Sequence, residues 1–254
     1  MTPNFVGRSL LHVTLMVFAA TCLIRANAEE PVKEPAVDKK VETPLPEPVG
    51  LTKISKDFPV WVDMKRKLVA VDGQVCLTEG QLELFACPKG TKEHEACVSV
   101  NSDAKTVHAA LLAVGAKAGS PVQYDPVYIP AKGTVIEIKL LWTDKNGKRH
   151  ETRAQEWIRN VRTKKEMEAL WVFAGSAFWT DEKEGKRYYH ADNGDLVCVS
   201  NFPYAMLDLS VKSSMENNDL LFEAFTERMP PRGTKVRMIL TPQLTGEKEE
   251  AKPK

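Results

Sequence analysis

Period-two alternation over Thr134–Thr143 (TVIEIKLLWT) constrains the fold of this 254-residue chain more than any other feature. Successive side chains of an extended strand point to opposite faces, so the stretch reads as one long, half-buried strand. Asp144-Lys145-Asn146-Gly147 then turns the chain back into Lys148–Arg153, a hairpin signature. The pattern recurs on both sides. Upstream, Pro59–Asp63 and Lys67–Val71 read as strands, the second followed by an Asp72-Gly73 hairpin turn, and Val75–Leu77 and Leu82–Ala86 continue the meander. Downstream, strands are expected at Trp171–Ala174, Ala177–Thr180, Lys186–Ala191, Leu196–Ser200, Leu220–Thr226 and Lys235–Leu240, the last preceded by a Pro230–Gly233 turn.

Helix is scarce. Asp103–Gly115 (DAKTVHAALLAVG) is the clear case, with Ser102 or Asp103 as N-cap and Gly115 as C-cap. Val107, Ala110, Leu111 and Val114 fall on one face at spacings of three and four. Thr163–Leu170 reads as a second short helix. The balance is an α+β fold, mainly antiparallel β, with the Asp103–Gly115 helix packed on the sheet.

The ends carry a different kind of signal. Arg8, the apolar run Leu10–Ile24 and Ala26-Asn27-Ala28 before Glu29 form a cleavable secretory signal over residues 1–28, its 15-residue apolar run being too short to cross a bilayer comfortably as a permanent helix. Acylation at Cys22 is disfavoured by Thr21 and by the absence of a leucine three residues before the cysteine. Residues 29–50 hold five prolines, many charges and no aromatic side chain, and read as a disordered linker. Residues 51–244 then form the β-rich domain, and 245–254 a second solvated tail. The expected product is exported, periplasmic or extracellular, with no transmembrane segment in the mature chain.

Removing Arg8 and Arg25 lowers the basic count from 35 to 33 against 34 acidic residues, a net charge of −1. That balance, without a basic stripe, excludes nucleic acid as a partner class. The mature chain keeps Cys76, Cys87, Cys97 and Cys198, an even number that in an exported protein favours disulfides. Four cysteines allow three pairings. Cys87 with Cys97 is the first choice because it closes a short Gly-, Lys- and Glu-rich loop, while Cys76 and Cys198 sit in apolar runs.

Chemistry-bearing side chains are densest from Cys87 to Cys97 (CPKGTKEHEAC), with His108 on the following helix. His94 and Glu95 are capable of acid–base work or metal ligation, but C-x6-H-x2-C-x10-H matches no zinc knuckle or ribbon, and no cofactor is assigned. His108 sits one turn before Leu111 and Leu112 and reads as a packing residue. Asp192-Asn193-Gly194-Asp195 lacks the rest of a calcium loop and reads as a hairpin turn. Trp61, Trp142, Trp157, Trp171 and Trp179 are the side chains a carbohydrate-binding face would use, although in a β-rich domain such residues commonly serve the core. Phosphate loops, H-E-x-x-H and the G-x-S-x-G elbow are missing from the sequence.

Gly90–Gly119 joins G-T-K-x-H-E to V-H-A-A-L-L-A-x-G-A-K-x-G. Further on come Ala174-Gly175-Ser176 with Phe178, Tyr189-x-Ala191-Asp192, Val199-Ser200-Asn201-Phe202-Pro203 with Ala205-Met206-Leu207-Asp208, and Phe222-Glu223-Ala224-Phe225. With these segments the chain resembles the bacterial YdjY-type domain family over Val60 to Pro242. The resemblance implies that Gly90, Thr91, Lys92, His94 and Glu95 form the family's distinctive polar loop, and that Ser200-Asn201-Phe202-Pro203 is a second such segment. It implies no reaction, substrate or cofactor, and the cysteines stand outside its pattern.

The leading functional expectation is an exported non-catalytic domain that binds an envelope protein or a small ligand at the bacterial cell envelope. The alternative is a metal-dependent or hydrolytic enzyme using the Lys92/His94/Glu95 loop with Asn201, which requires the two polar segments to converge. A redox role for Cys87 and Cys97 lacks the C-x-x-C pair such chemistry favours.

Overall fold

The computed structural model describes residues 45–214 and 220–244. The signal at 1–28, the linker up to residue 44 and the tail at 245–254 lie outside the described residues.

Eight strands, numbered here in chain order, close into a barrel. They are β1 (Leu68–Val75), β2 (Leu84–Pro88), β3 (Ala96–Val100), β4 (Val135–Thr143), β5 (Trp171–Phe173), β6 (Val197–Cys198), β7 (Leu207–Leu209) and β8 (Lys235–Pro242). Around the ring the order is β1-β8-β4-β5-β7-β6-β2-β3, and β3 pairs back onto β1. The β2–β3 and β6–β7 pairs are parallel and the other six antiparallel. The mainly β character is therefore as the sequence predicts, but the sheet is closed rather than open. Closure removes the strand edges that an open sheet leaves bare.

Alternation builds the interior. Ile136, Ile138 and Leu140 of β4 are buried, as are Val236, Met238 and Leu240 of β8. The register sets Met238 between Leu140 and Val71, and Leu240 between Ile138 and Val69. The Arg149–Arg153 strand pairs with β4 across the predicted turn, where Gly147 takes φ 78° and Asp144 Oδ1 accepts from the Asn146 and Lys148 N–H groups at 2.8 and 3.1 Å.

The Asp72-Gly73 hairpin turn is corrected: both residues lie inside β1. The reversal occurs at residues 64–67, where Asp63 Oδ1 accepts from the Lys65 and Arg66 N–H groups at 2.8 Å each and Lys67 takes φ 54°. β1 instead changes partners at this dipeptide. Residues 68–71 pair with the strand Val60–Asp63, and residues 73–75 pair with β3. Gly73 is required by proximity, because a Cβ there would overlap the Ser99 carbonyl oxygen.

The predicted helix is α1 (Ala104–Ala113), N-capped by Asp103, whose carboxylate accepts from Thr106 N–H at 2.8 Å, and followed by Gly115 at φ 99°. Val107, Ala110, Leu111 and Val114 belong to the same buried cluster as the barrel residues above. Thr163–Leu170 is not helical. The Asn160 carboxamide oxygen accepts from the Arg162 and Thr163 N–H groups at 2.9 and 3.0 Å, Lys164 is left-handed at φ 59°, and Met167 N–H returns to Ile158 O at 2.9 Å. These bonds make a turn and an extended return, which buries Met167.

Candidate functional site

The G-T-K-x-H-E loop bridges the parallel strands β2 and β3, and most of its polar groups are used within the fold. Thr91 Oγ1 donates to Pro88 O at 2.6 Å, Gly90 N–H to Glu93 Oε1 at 2.5 Å and Glu95 N–H to Lys92 O at 3.2 Å. Lys92 leaves the loop. Its ammonium lies 3.0 Å from Asp195 Oδ1 and 5.2 Å from the Phe202 ring centroid. Its stem crosses Gly194, where a Cβ would come within 2.6 and 2.7 Å of Lys92 Cδ and Cγ. Burial opposes the charge on Lys92, yet the Asp195 carboxylate outweighs it and holds the ammonium above its ordinary range. The two polar segments therefore do converge, through Lys92 and Phe202.

Glu83, an acid the sequence reading did not single out, lies beside Glu95, with its backbone N–H donating to Glu95 O at 3.3 Å. Burial, then the Glu95 contact, pushes the Glu83 carboxyl up to about 7. Its signal in the sequence is an acid placed between Leu82 and Leu84 at the start of a buried strand. His94 Nε2 lies 3.3 Å from Glu95 Oε1, and its side chain is 78% exposed. Among the described residues no group of three or more His, Cys, Asp or Glu side chains is arranged to hold a metal.

Asn201 is fully buried and serves a different junction. Its Nδ2 donates to Asp208 Oδ1 at 3.0 Å and Leu209 O at 3.3 Å. Its Oδ1 accepts from Ser213 N–H at 2.6 Å and Tyr128 OH at 3.3 Å, and its carbonyl accepts from Tyr124 OH at 3.0 Å. Asp208 Oδ2 has no partner among the described residues, and burial pushes this carboxyl up to about 7.

The Cys87–Cys97 disulfide is corrected: all four described cysteines are buried free thiols. Register explains why. Cys87 stands opposite Ser99, so Cys97 lies two residues along the neighbouring parallel strand; a strand spacing of about 4.8 Å and a rise of about 3.3 Å per residue put the two Cα atoms about 8 Å apart, beyond ordinary disulfide reach. The Cys76 thiol donates to Ala96 O at 3.0 Å, and burial pushes the Cys97 and Cys198 thiols up.

Asp192 and His108 hold α1 in place. Asp192 Oδ1 accepts from Lys105 N–H at 3.0 Å, so this residue anchors the first turn of α1. Asn193-Gly194 ends the 3-10 helix His190–Asn193 and makes no hairpin turn. Tyr189 OH donates to Gly175 O at 2.9 Å, so its oxygen must accept the proton of His108 Nδ1 at 2.8 Å, which fixes the histidine tautomer. Burial lowers the His108 pKa and keeps the ring neutral.

A second surface has no internal task of this kind. Strands Phe178–Thr180 and Arg187–Tyr189 form a separate hairpin whose first strand is wholly exposed. Trp179 stacks on Tyr188 across the pair at 5.0 Å, lies 6.1 Å from His190, and His190 stacks on Tyr204 at 4.0 Å. Ser176 sets this row: held at φ 52°, it donates through N–H to Ala205 O at 3.1 Å and through Oγ to Tyr204 O at 2.6 Å. A left-handed non-glycine residue is backbone strain, retained here by two bonds that fix the Tyr204 segment. Of the five tryptophans only Trp179 is substantially exposed; Trp61, Trp157 and Trp171 are buried and Trp142 is half-buried, stacked on His150. Tyr188, His190 and Tyr204 were missed because their alignment is tertiary.

The fold and these surfaces define a small closed-barrel domain with one helix, a tightly bonded polar junction at Lys92 and a projecting aromatic hairpin. The profile of the YdjY domain matches residues 60–241, which include nearly the whole barrel, and the chain belongs to that family. No curated protein and no solved structure matches the chain.

Proposed function

We propose that this protein is an exported, non-catalytic domain that binds a partner or ligand at the bacterial cell envelope, with the hairpin at residues 178–189 and Tyr204 as its contact surface. The observation that carries the reading is the contrast between the two polar or aromatic surfaces. Lys92, Thr91 and Glu95 are bonded to the fold, whereas Phe178, Trp179 and Tyr204 are 44%, 39% and 46% exposed. Exposed tryptophan and tyrosine on rigid backbone are the residues that dominate binding energy at interfaces. Export rests on the 1–28 signal.

The test is co-sedimentation of the purified chain from Glu29 with isolated envelope material. The expected result is retention that falls about tenfold in Trp179→Ala/Tyr204→Ala while the urea midpoint is kept. Equal sedimentation of variant and wild type sinks the reading. N-terminal sequencing of the protein from the periplasm tests export, with Glu29 as the expected first residue.

One observation favours hydrolytic chemistry as a second reading. Glu83, pushed up to about 7 by burial and by Glu95, which itself lies 3.3 Å from His94 Nε2, is poised for proton transfer near neutral pH. Any hydrolysis by this loop would disappear in Glu83→Gln while the fold is kept.

A further inference from the structure

We infer that the Phe178–Thr180 strand is a docking edge that takes an extended, uncharged peptide segment of a partner as an added strand; this rests on the hairpin being the contact surface. Hydrogen-bond phase carries the argument. Asp181 N–H donates to Lys186 O at 2.9 Å and His190 N–H to Ala177 O at 3.0 Å, so residues 181 and 186, and 177 and 190, are the bonded pairs. The register Phe178↔Tyr189, Trp179↔Tyr188, Thr180↔Arg187 continues the same ladder. Bonded and non-bonded pairs alternate in an antiparallel ladder, so Trp179 faces Tyr188 while the N–H and C=O of Phe178 and Thr180 point away from the hairpin. The hairpin forms a sheet of two strands alone, so the outward groups of Phe178 and Thr180 face no further strand among the described residues.

The chemistry of the occupant follows from what the edge offers. A ladder of outward donors and acceptors spaced every second residue is matched by another extended backbone, the mode of strand addition. A lipid surface would desolvate these backbone groups without replacing their bonds. The Trp179–Tyr188 stack lies on one face of the hairpin and gives alternate apolar side chains of the incoming strand a place to pack. The turn beside it carries Asp181, Glu182 and Glu184 against Lys183, Lys186 and Arg187, a balance that selects no charged partner. Natural edges are blunted with proline, an inward charge, a cover or a very short strand. This edge is three residues long, but it carries no proline and no inward charge, and all three of its residues are exposed.

The test uses the full mature chain and the acetylated, amidated peptide Thr-Val-Thr-Val-Thr at millimolar concentration, with amide NMR as the readout. Shifts and exchange protection are expected at the Phe178 and Thr180 N–H groups. Thr180→Pro deletes an outward donor without touching the hairpin's own ladder, and proline is tolerated on an edge strand. It should keep the fold and weaken binding by roughly tenfold or more. A peptide N-methylated at every residue, which keeps no N–H on either edge, should not bind. Unperturbed Phe178 and Thr180 amides, equal binding of the methylated peptide, or concentration-dependent self-association abolished by Thr180→Pro would each overturn the proposal. Envelope sedimentation that survives Thr180→Pro but not Trp179→Ala/Tyr204→Ala would remove strand addition and leave the binding reading standing.

Discussion

Lys92 and Asp195, 103 positions apart, meet at 3.0 Å across the gap between the β2–β3 loop and the segment that enters β6. The contact gives the G-T-K loop a task in the fold. Lys92→Met keeps a stem over Gly194 but leaves Asp195, only 14% exposed, without its partner. A loss of about 1–3 kcal/mol is expected, read as a lower urea midpoint with an unchanged slope. A purely catalytic lysine would leave the midpoint where it is.

Gly73 sits where β1 passes from one partner to the next. Gly73→Ala drives a methyl into the Ser99 carbonyl, a backbone obstacle that cannot rotate away. About 3 kcal/mol or more should be lost. Hydrogen exchange locates the damage: the amides of residues 98–100 should lose protection before those of β4 and β8.

Stability should fall as pH rises from about 4 to about 7. Asp208 is an acid whose folded pKa, about 7, lies above its unfolded value of about 3.9. The native state therefore keeps a proton that the unfolded chain releases, and the stabilisation present below the unfolded value is lost as pH climbs through the folded one. The gap corresponds to at most about 4 kcal/mol, on the order of three pH units. Asn201 and the Leu209 and Phe202 N–H groups face this carboxyl and favour its charge, while the Asp195 carboxylate opposes it; the nearby Tyr124 and Tyr128 hydroxyls stay neutral through this range, their own ionisation pushed up by burial. Glu83 adds a decline of the same sign, reduced by solvent. Urea midpoints from pH 5 to 8 should be flatter for Asp208→Asn than for wild type; an equal slope would assign the decline elsewhere.

Thiol chemistry gives the last prediction. Cys97 and Cys198 are fully buried and their thiols are pushed up, so both disfavour the reactive thiolate. Iodoacetamide should label neither in the native protein and all four mature cysteines after denaturation without reductant. Fewer than four labels would reveal a disulfide.

Local features were legible and partner choice was not. The Asp103 cap, the turn at Gly147 and the alternation of β4 and β8 are short-range signals, and they fall where the sequence places them. Asp72-Gly73 carries the same two letters as a hairpin turn, but its glycine answers a strand 26 residues later, Ser99 in β3. The polar loop was recognisable from its composition. That Lys92 would choose Asp195, or that Asn201 would instead bind Asp208, depends on where distant strands bring the chain. Barrel closure left no trace in any one window, because no strand announces its second neighbour.

β8 lies between β1 and β4, pairing with the first strand of the barrel on one side and with the fourth on the other. A nascent chain therefore holds two unsatisfied ladders until residues 235–242 have emerged. Non-local pairings of this kind form slowly, and open edges invite association while they wait. The last strand acts as a keystone: truncations that stop short of it are expected to aggregate rather than to yield a smaller folded unit.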